Sequence, residues 1–459
     1  MKYFILSALF MFVRFSCQAQ PYPDVEVVNL NSIPGKNISR TMHLLESSTA
    51  EFPNEVRIMV YGQSITRMDW WLAVRDYLSE KYPTVLLDME NFAIGGFNAE
   101  RLIRCVERDV LDFYPDLIIF HDYGGEETYG EIIRMFRTLT TAEVMILNDH
   151  VGIGQNSEWH DRHSWEWLPA LCEKYGLELV DVRTNWINFA EKNGFDFQDL
   201  LKDHVHMNEL GNYLMAGIIK AHLVVCPQNV SDSSISVKKL MPQDAFSGDG
   251  ESVYAFRIRG NRMDLVYSQE IGVTADQIYI NHFTAKEFQA FRIPSRVYLD
   301  ETNTAYPEKI GIPVRIMLRN NPEEGHWNMV VKNVELDGYR IFFDLFSGHE
   351  GFQGSGDNLN DFCSMNGEIC LKPEDWFYRE EPGFFSPWKA VKTGDTIRFD
   401  IKHLNHVVED PASGKKRQII KGLPDGINIL KLNGSAVKKF GNGLDIIVYD
   451  PPMFDMNQR

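Results

Sequence analysis

Val56-Arg57-Ile58-Met59-Val60-Tyr61-Gly62-Gln63-Ser64-Ile65-Thr66 runs from a nearly continuous apolar stretch into a short polar turn. An apolar run of this length reads as a strand buried on both faces, the kind found in parallel sheets covered by helices. The pattern repeats downstream. Thr84–Met89, Asp116–Phe120, Glu143–Leu147 and Leu177–Val182 read as further strands, and Asp69–Lys81, Ala99–Asp112, Tyr129–Thr138 and Trp165–Tyr175 read as the helices between them. Such alternation predicts an α/β unit over residues 55–228, with ligands gathering at the carboxyl ends of its strands.

After Cys226 the pattern changes. Residues 227–235 read as a polar linker, and beyond them alternating runs are separated by the turn dipeptides Gly260-Asn261, Asp337-Gly338, Asn366-Gly367, Asp425-Gly426 and Asn433-Gly434. Residues 236–459 are therefore expected to form one β-sandwich or two, associated with carbohydrate. Asn366-Gly367 sets Cys363 opposite Cys370 in a hairpin. The count makes them a hydrogen-bonded pair, with Cα atoms about 5.5 Å apart and within disulfide reach. Two to three domains suit 459 residues. A formal charge of -18 argues against nucleic acid as a partner, because phosphate binding depends on Lys and Arg.

Met1–Val13 joins one Lys to an apolar run too short to span a bilayer, the pattern of a secretory signal over residues 1–19. Export to the periplasm or medium is expected. Cys17 offers the alternative of a lipid anchor and an outer-membrane lipoprotein, against which Arg14 stands where an apolar residue is wanted. Residues 20–54 read as an N-terminal extension. No later segment has the length and apolar content of a membrane span.

Three motifs carry chemistry. Gly62-Gln63-Ser64-Ile65-Thr66 places a Ser after the first strand and before a helix, where developing negative charge is favoured. Asn91-Phe-Ala-Ile-Gly95-Gly96-Phe-Asn98 follows the second strand, and its glycines let backbone N–H groups approach a ligand. Asp203-His204-Val205-His206 leads into the last helix, with Asp and His three residues apart so that one orients the other as a base. In this order the three motifs resemble the blocks of the SGNH (GDSL-like) serine hydrolases. The resemblance covers about residues 55–225. It implies a flavodoxin-like three-layer sheet, Ser64 as nucleophile, an oxyanion hole from the Ser64 and Gly96 backbone, His206 as base and Asp203 as its partner.

Two departures stand out. Gln63 replaces the usual Asp of the first block, a change expected to touch only the hydrogen bonds of the turn. The third block, which in that family supplies an Asn oxyanion donor, reads Phe120-His-Asp-Tyr-Gly-Gly-Glu-Glu127, so Gly124 or Gly125 would offer only backbone N–H. Loss of one such donor costs on the order of 100- to 1000-fold in rate. Asn148-Asp149-His150 and His160-Asp-Arg-His163 lie on the same sheet edge, and His150, Arg162 and His163 are candidate substrate-binding residues. No metal or other cofactor is expected.

The serine site beside an exported β-rich half, together with the ester chemistry that the resemblance implies, leads to the expectation of an exported esterase removing O-acyl groups, chiefly acetyl, from a poly- or oligosaccharide. The alternatives are a glycosidase using Asp203, Asp122, Glu126 or Glu127, and a non-catalytic glycan-binding surface protein. Trp327, Trp376, Trp388, Phe384 and Phe385 are candidates for stacking on sugar rings.

Overall fold

The computed structural model describes residues 22–28, 33–226, 236–248, 253–268, 277–289, 291–299, 311–320, 322–335, 340–377, 391–410, 415–423 and 427–450. The expected signal segment with Cys17, the expected linker 227–235, Phe384, Phe385 and Trp388 lie outside the described residues. So do the dipeptides Asp337-Gly338 and Asp425-Gly426.

Five strands, β1 (Glu55–Gly62), β2 (Leu86–Asn91), β3 (Leu117–His121), β4 (Glu143–Leu147) and β5 (Glu178–Val180), form one parallel sheet in the order β2-β1-β3-β4-β5. This is the flavodoxin-like order implied by the resemblance. The helices are α1 (Ser39–Glu46), α2 (Trp70–Lys81), α3 (Ala99–Phe113), α4 (Glu126–Leu139), α5 (Ser157–Arg162), α6 (Leu168–Tyr175), α7 (Val182–Asn193) and α8 (Glu209–His222). Alternate residues of β1 face opposite cores: Ile58 and Val60 pack with α2 and α8 residues, and Met59 and Tyr61 with α3 and α4 residues. Both faces are covered, as the continuous apolar runs require.

Helix α1 belongs to the predicted extension, yet it is built into the sheet. The buried Glu143 carboxylate at the start of β4 accepts the Arg40 and Thr41 N–H groups, and Glu178 on β5 accepts those of Gly35 and Asn37. Two buried acids thus satisfy the open N–H groups of this helical segment.

The β half has two parts. A sandwich pairs the sheet ordered Phe283–Thr284, Ile278–Ile280, Ile427–Asn433, Val253–Arg259, Ser247–Gly248 with the sheet ordered His406–Asp410, Lys415–Lys421, Arg262–Ser268, Leu444–Asp450, Ser236–Lys239. Phe256 and Leu430 from the first meet Met263, Leu265 and Ile446 from the second in one core. Between them in sequence lies a second antiparallel unit, whose main sheet is ordered Arg292–Pro294, Thr396–His403, Gly325–Glu335, Arg340–Ser347, Gly351–Asp357. Its buried residues, Trp327 and Trp376 among them, join the core on the α3–α4 side of the parallel sheet. These two tryptophans are core, not a sugar platform.

The halves are joined by buried polar contacts. Asp109 on α3 receives Arg108 and Arg296, Arg108 also reaches the Val314 carbonyl, and Lys421 donates to the Leu111 carbonyl. Of the described turn dipeptides, only Asn366-Gly367 closes a hairpin. There Cys363 pairs with Cys370 in a disulfide, with Cα atoms 4.2 Å apart. Ser364 N–H bonds to Ile369 O, so the neighbouring pair carries the hydrogen bond and the cysteines occupy the closer, non-hydrogen-bonded position, a correction to the expected spacing. Gly260-Asn261 instead turns the chain between the two sheets of the sandwich. Asn261 donates to the carbonyls of Arg137, Thr138 and Thr140 at the end of α4. Asn433-Gly434 leads from a strand into the short helix Ser435–Lys439.

Candidate active site

Gly62 ends β1 with φ 142°, and a Cβ there would sit 1.9 Å from the His121 carbonyl oxygen. Only glycine lets the turn after β1 lie directly on the end of β3. Thr66 Oγ1 donates to that same carbonyl, Trp70 Nε1 donates to Ile65 O, and Asn91 Nδ2 donates to Thr66 O. The Asn of the second block therefore ties its own loop to the turn that holds Ser64.

On the far side, the loop before α8 is pinned by Ile153 N–H to His204 O, by His150 Nε2 to Val205 O at 2.7 Å, and by Asn208, whose side chain caps the helix by accepting Gly211 N–H. His204 is exposed, while His206 turns inward. Its Nε2 lies 3.1 Å from Ser64 Oγ, and its Nδ1 lies 2.8 Å from Asp203 Oδ2. Asp203 Oδ1 accepts the Val205 and His206 N–H groups. Desolvation works against the charge on Asp203, but these N–H groups and the imidazole outweigh it and bring the carboxyl down to about 2. An ionised carboxylate, an imidazole held in one tautomer and a hydroxyl thus stand in series.

Gly95 faces the same serine, for a Cβ on it would lie 3.9 Å from Ser64 Cβ, whereas one on Gly96, at φ 79°, would meet open space. Among the described residues no acceptor takes the backbone N–H of Ser64 or Gly96. Two donors beside an open face suit a developing oxyanion. The third-block loop offers less. Gly125 N–H is taken by Glu100 Oε1 at 2.6 Å, and Gly124 packs so closely on Ala99 and Glu100 that a Cβ would clash with both.

Gln63 does more than shape the turn. Its Oε1 accepts both Ile65 N–H at 3.0 Å and Ser64 Oγ–H at 2.9 Å, and its Nε2 donates to His121 Nδ1 at 3.2 Å. His121 Nε2 reaches Asp149 Oδ1 at 2.9 Å, and His160 Nδ1 reaches Asp149 Oδ2 at 2.7 Å. Burial opposes charge on Asp149, but the two imidazoles hold its carboxyl far below the usual range. Sequence reading placed Asp149 and His160 on the correct edge of the sheet. It missed their connection to Ser64, which runs through residues at the ends of three different strands.

The candidate substrate-binding residues are not brought together. His150 is buried beneath the 203–206 loop, and His163 is buried in a stack between Trp159 and Trp167. Burial pushes both imidazoles down to about 4. Arg162 is half-exposed and pairs with Glu126. Asn148, another candidate donor, is spent on Ser164 O, Asp181 Oδ1 and Arg183 N–H. Asp122 is buried, and desolvation raises its carboxyl well above the ordinary value. Among the described residues no group of three or more His, Cys, Asp or Glu is arranged to hold a metal ion, and no helix is long and apolar enough to cross a membrane.

No family model matches the chain, and no curated protein matches it. Similar solved structures include an acetylxylan esterase from Geobacillus stearothermophilus, at 15% identity and TM-score 0.34, spanning 38% of this chain and 96% of that one. An alpha/beta hydrolase from the metagenome of Lake Arreo, Spain, matches at 17% identity and TM-score 0.33, over 39% of this chain and 100% of its own. A protein named as a GDSL-like lipase from Parabacteroides merdae matches at 18% identity and TM-score 0.33, over 38% and 98%.

Proposed function

We propose that the chain is a serine esterase that removes O-acyl groups, chiefly acetyl, from carbohydrate. The observation that carries this reading is the series Ser64 Oγ, His206 Nε2 at 3.1 Å, and His206 Nδ1 to Asp203 Oδ2 at 2.8 Å. Ser64 Oγ attacks the acyl carbonyl while its proton passes to His206 Nε2, and Asp203 stabilises the resulting imidazolium. The N–H groups of Ser64 and Gly96 take the oxyanion. His206 then returns the proton to the departing sugar hydroxyl, leaving an acyl-serine. Water, deprotonated by the same imidazole, releases the acid and restores Ser64.

A glycosidase reading is not favoured, because Asp122 is buried and Glu126 is paired with Arg162. The sugar preference rests on the β-rich half and the resemblance. Acetylated xylan, to which the name of one similar structure points, is the first substrate to try, ahead of a wider set of acetylated glycans. Export rests on residues 1–19, and a mature protein whose sequencing begins at Gln20 is the expected result. Purified protein should release acetate, and Ser64→Ala should lower the rate by about 10⁴-fold or more. Equal rates for the variant and the parent would sink the assignment.

A further inference from the structure

Ser64 Oγ has one hydrogen and two acceptors within reach: His206 Nε2, which receives it in the attack, and Gln63 Oε1, which accepts it only at rest. Gln63 Oε1 is a neutral acceptor whose orientation is dictated by its surroundings. Ile65 N–H requires an oxygen on that side of the amide, so Nε2 must face His121. Facing an amide N–H, His121 Nδ1 must be unprotonated, and the imidazole carries its hydrogen on Nε2, where Asp149 accepts it. Asp149 is held in turn by His160 from the more open side. Each assignment follows from the previous one, so the orientation of the Gln63 amide is fixed through three further side chains.

We propose that His121, Asp149 and His160 are positioning residues that act through Gln63, whose Oε1 pins Ile65 N–H, to hold the turn that carries Ser64 in its attacking geometry. The inference rests on Ser64 being the nucleophile. His121 ends β3, Asp149 follows β4 and Gln63 follows β1, so the chain crosses the carboxyl edge of the sheet beneath the serine. A rigid scaffold behind a nucleophile matters because small displacements of a reacting atom cost rate steeply. The array also gives Gln63 a reason to be Gln. A carboxylate there could accept from Ile65 N–H and Ser64 Oγ–H, but it could not donate to His121 Nδ1.

The test uses the full chain and a fluorophosphonate, which reports Ser64 reactivity without knowledge of the natural substrate. Asp149→Asn and Gln63→Met should each slow labelling on the order of 10- to 100-fold. In acetate-release assays kcat should fall while KM holds. The double variant should be no slower than Gln63→Met alone, since Asp149 acts only through the amide. His160→Gln, altered at the more open end, should slow labelling less than Asp149→Asn, and it serves as the readout should Asp149→Asn not fold. Full-rate labelling in the folded single variants, or losses that multiply in the double variant, would overturn the positioning role. A parent protein that takes no label at Ser64 would instead overturn the esterase reading.

Discussion

Two histidine–aspartate pairs flank Ser64, and they differ in their access to water. The side chains of His206 and Asp203 are 31% and 47% exposed, while those of His121 and Asp149 are 1% and 8% exposed. The first pair touches the hydroxyl directly and can exchange protons with solvent. The second reaches it through an amide that neither gains nor loses a proton at ordinary pH. The same two residue types can therefore serve two ends: accessibility suits one pair to the proposed proton transfer, and burial suits the other to the proposed positioning role.

The largest effect that separates the pairs is expected at Asp203. Asp203→Asn should lower kcat by about 10⁴-fold, because the amide favours the wrong imidazole tautomer. Its half-exposed site should leave Tm nearly unchanged. A loss of less than 10-fold would mean that the exposed pair is not the one that moves the proton.

A second distinction lies in acid stability. Asp149 is held below its unfolded value, so its contribution is present above about pH 4 and is lost as pH falls through the lower folded value. Asp203 obeys the same sign, with its contribution lost between about 4 and 2. Asp149 is buried and Asp203 is not, so Asp149→Asn should flatten the acid limb of a Tm–pH curve more than Asp203→Asn does. Equal curves would remove the contrast in burial.

The smallest effect concerns His163, which lies between Trp159 and Trp167 with neither ring nitrogen hydrogen-bonded. Burial depresses its folded value to about 4, against about 6.5 unfolded. In that interval the unfolded chain binds more protons, so stability falls as pH drops from about 6.5 to 4. His163→Phe keeps the stack and removes the titration, and Tm should then vary less over this range. An unchanged slope would show that His163 is not the group responsible.

The parallel sheet was legible because the central strands are nearly continuous apolar runs, and Ser64, Gly96, Asp203 and His206 were legible because each motif sits at the end of one element. Helices α1, α5 and α7 escaped notice, the second because His160–His163 read as a loop. The packing partners of α1 are the acids Glu143 and Glu178, far along the chain, and no local pattern in Ser39–Glu46 announces them. Gln63 looked like a local adjustment because its distant partner, His121, comes from the end of β3 and is held there by Asp149 after β4. The turn dipeptides misled for a related reason: a glycine at positive φ permits a hairpin, a corner or a helix start, and distant contacts decide which. At Gly260-Asn261 the deciding contacts are the α4 carbonyls that Asn261 reaches.

The interrupted sandwich carries a consequence for biosynthesis. Among the described residues, strand Arg262–Ser268 pairs only with Lys415–Lys421 and Leu444–Asp450, and Tyr449 reaches Asp264 across 185 residues of sequence. Synthesis delivers the α/β unit before the β half, and strand Arg262–Ser268 then waits with both edges open until Lys415–Lys421 and Leu444–Asp450 emerge. Loop-closure entropy grows only slowly with such a separation, so the finished fold loses little stability to it. The waiting does matter, because an unpaired apolar strand on a nascent chain is open to aggregation. Strands Lys415–Lys421 and Leu444–Asp450, more than 140 residues downstream, are the ones that close this exposure.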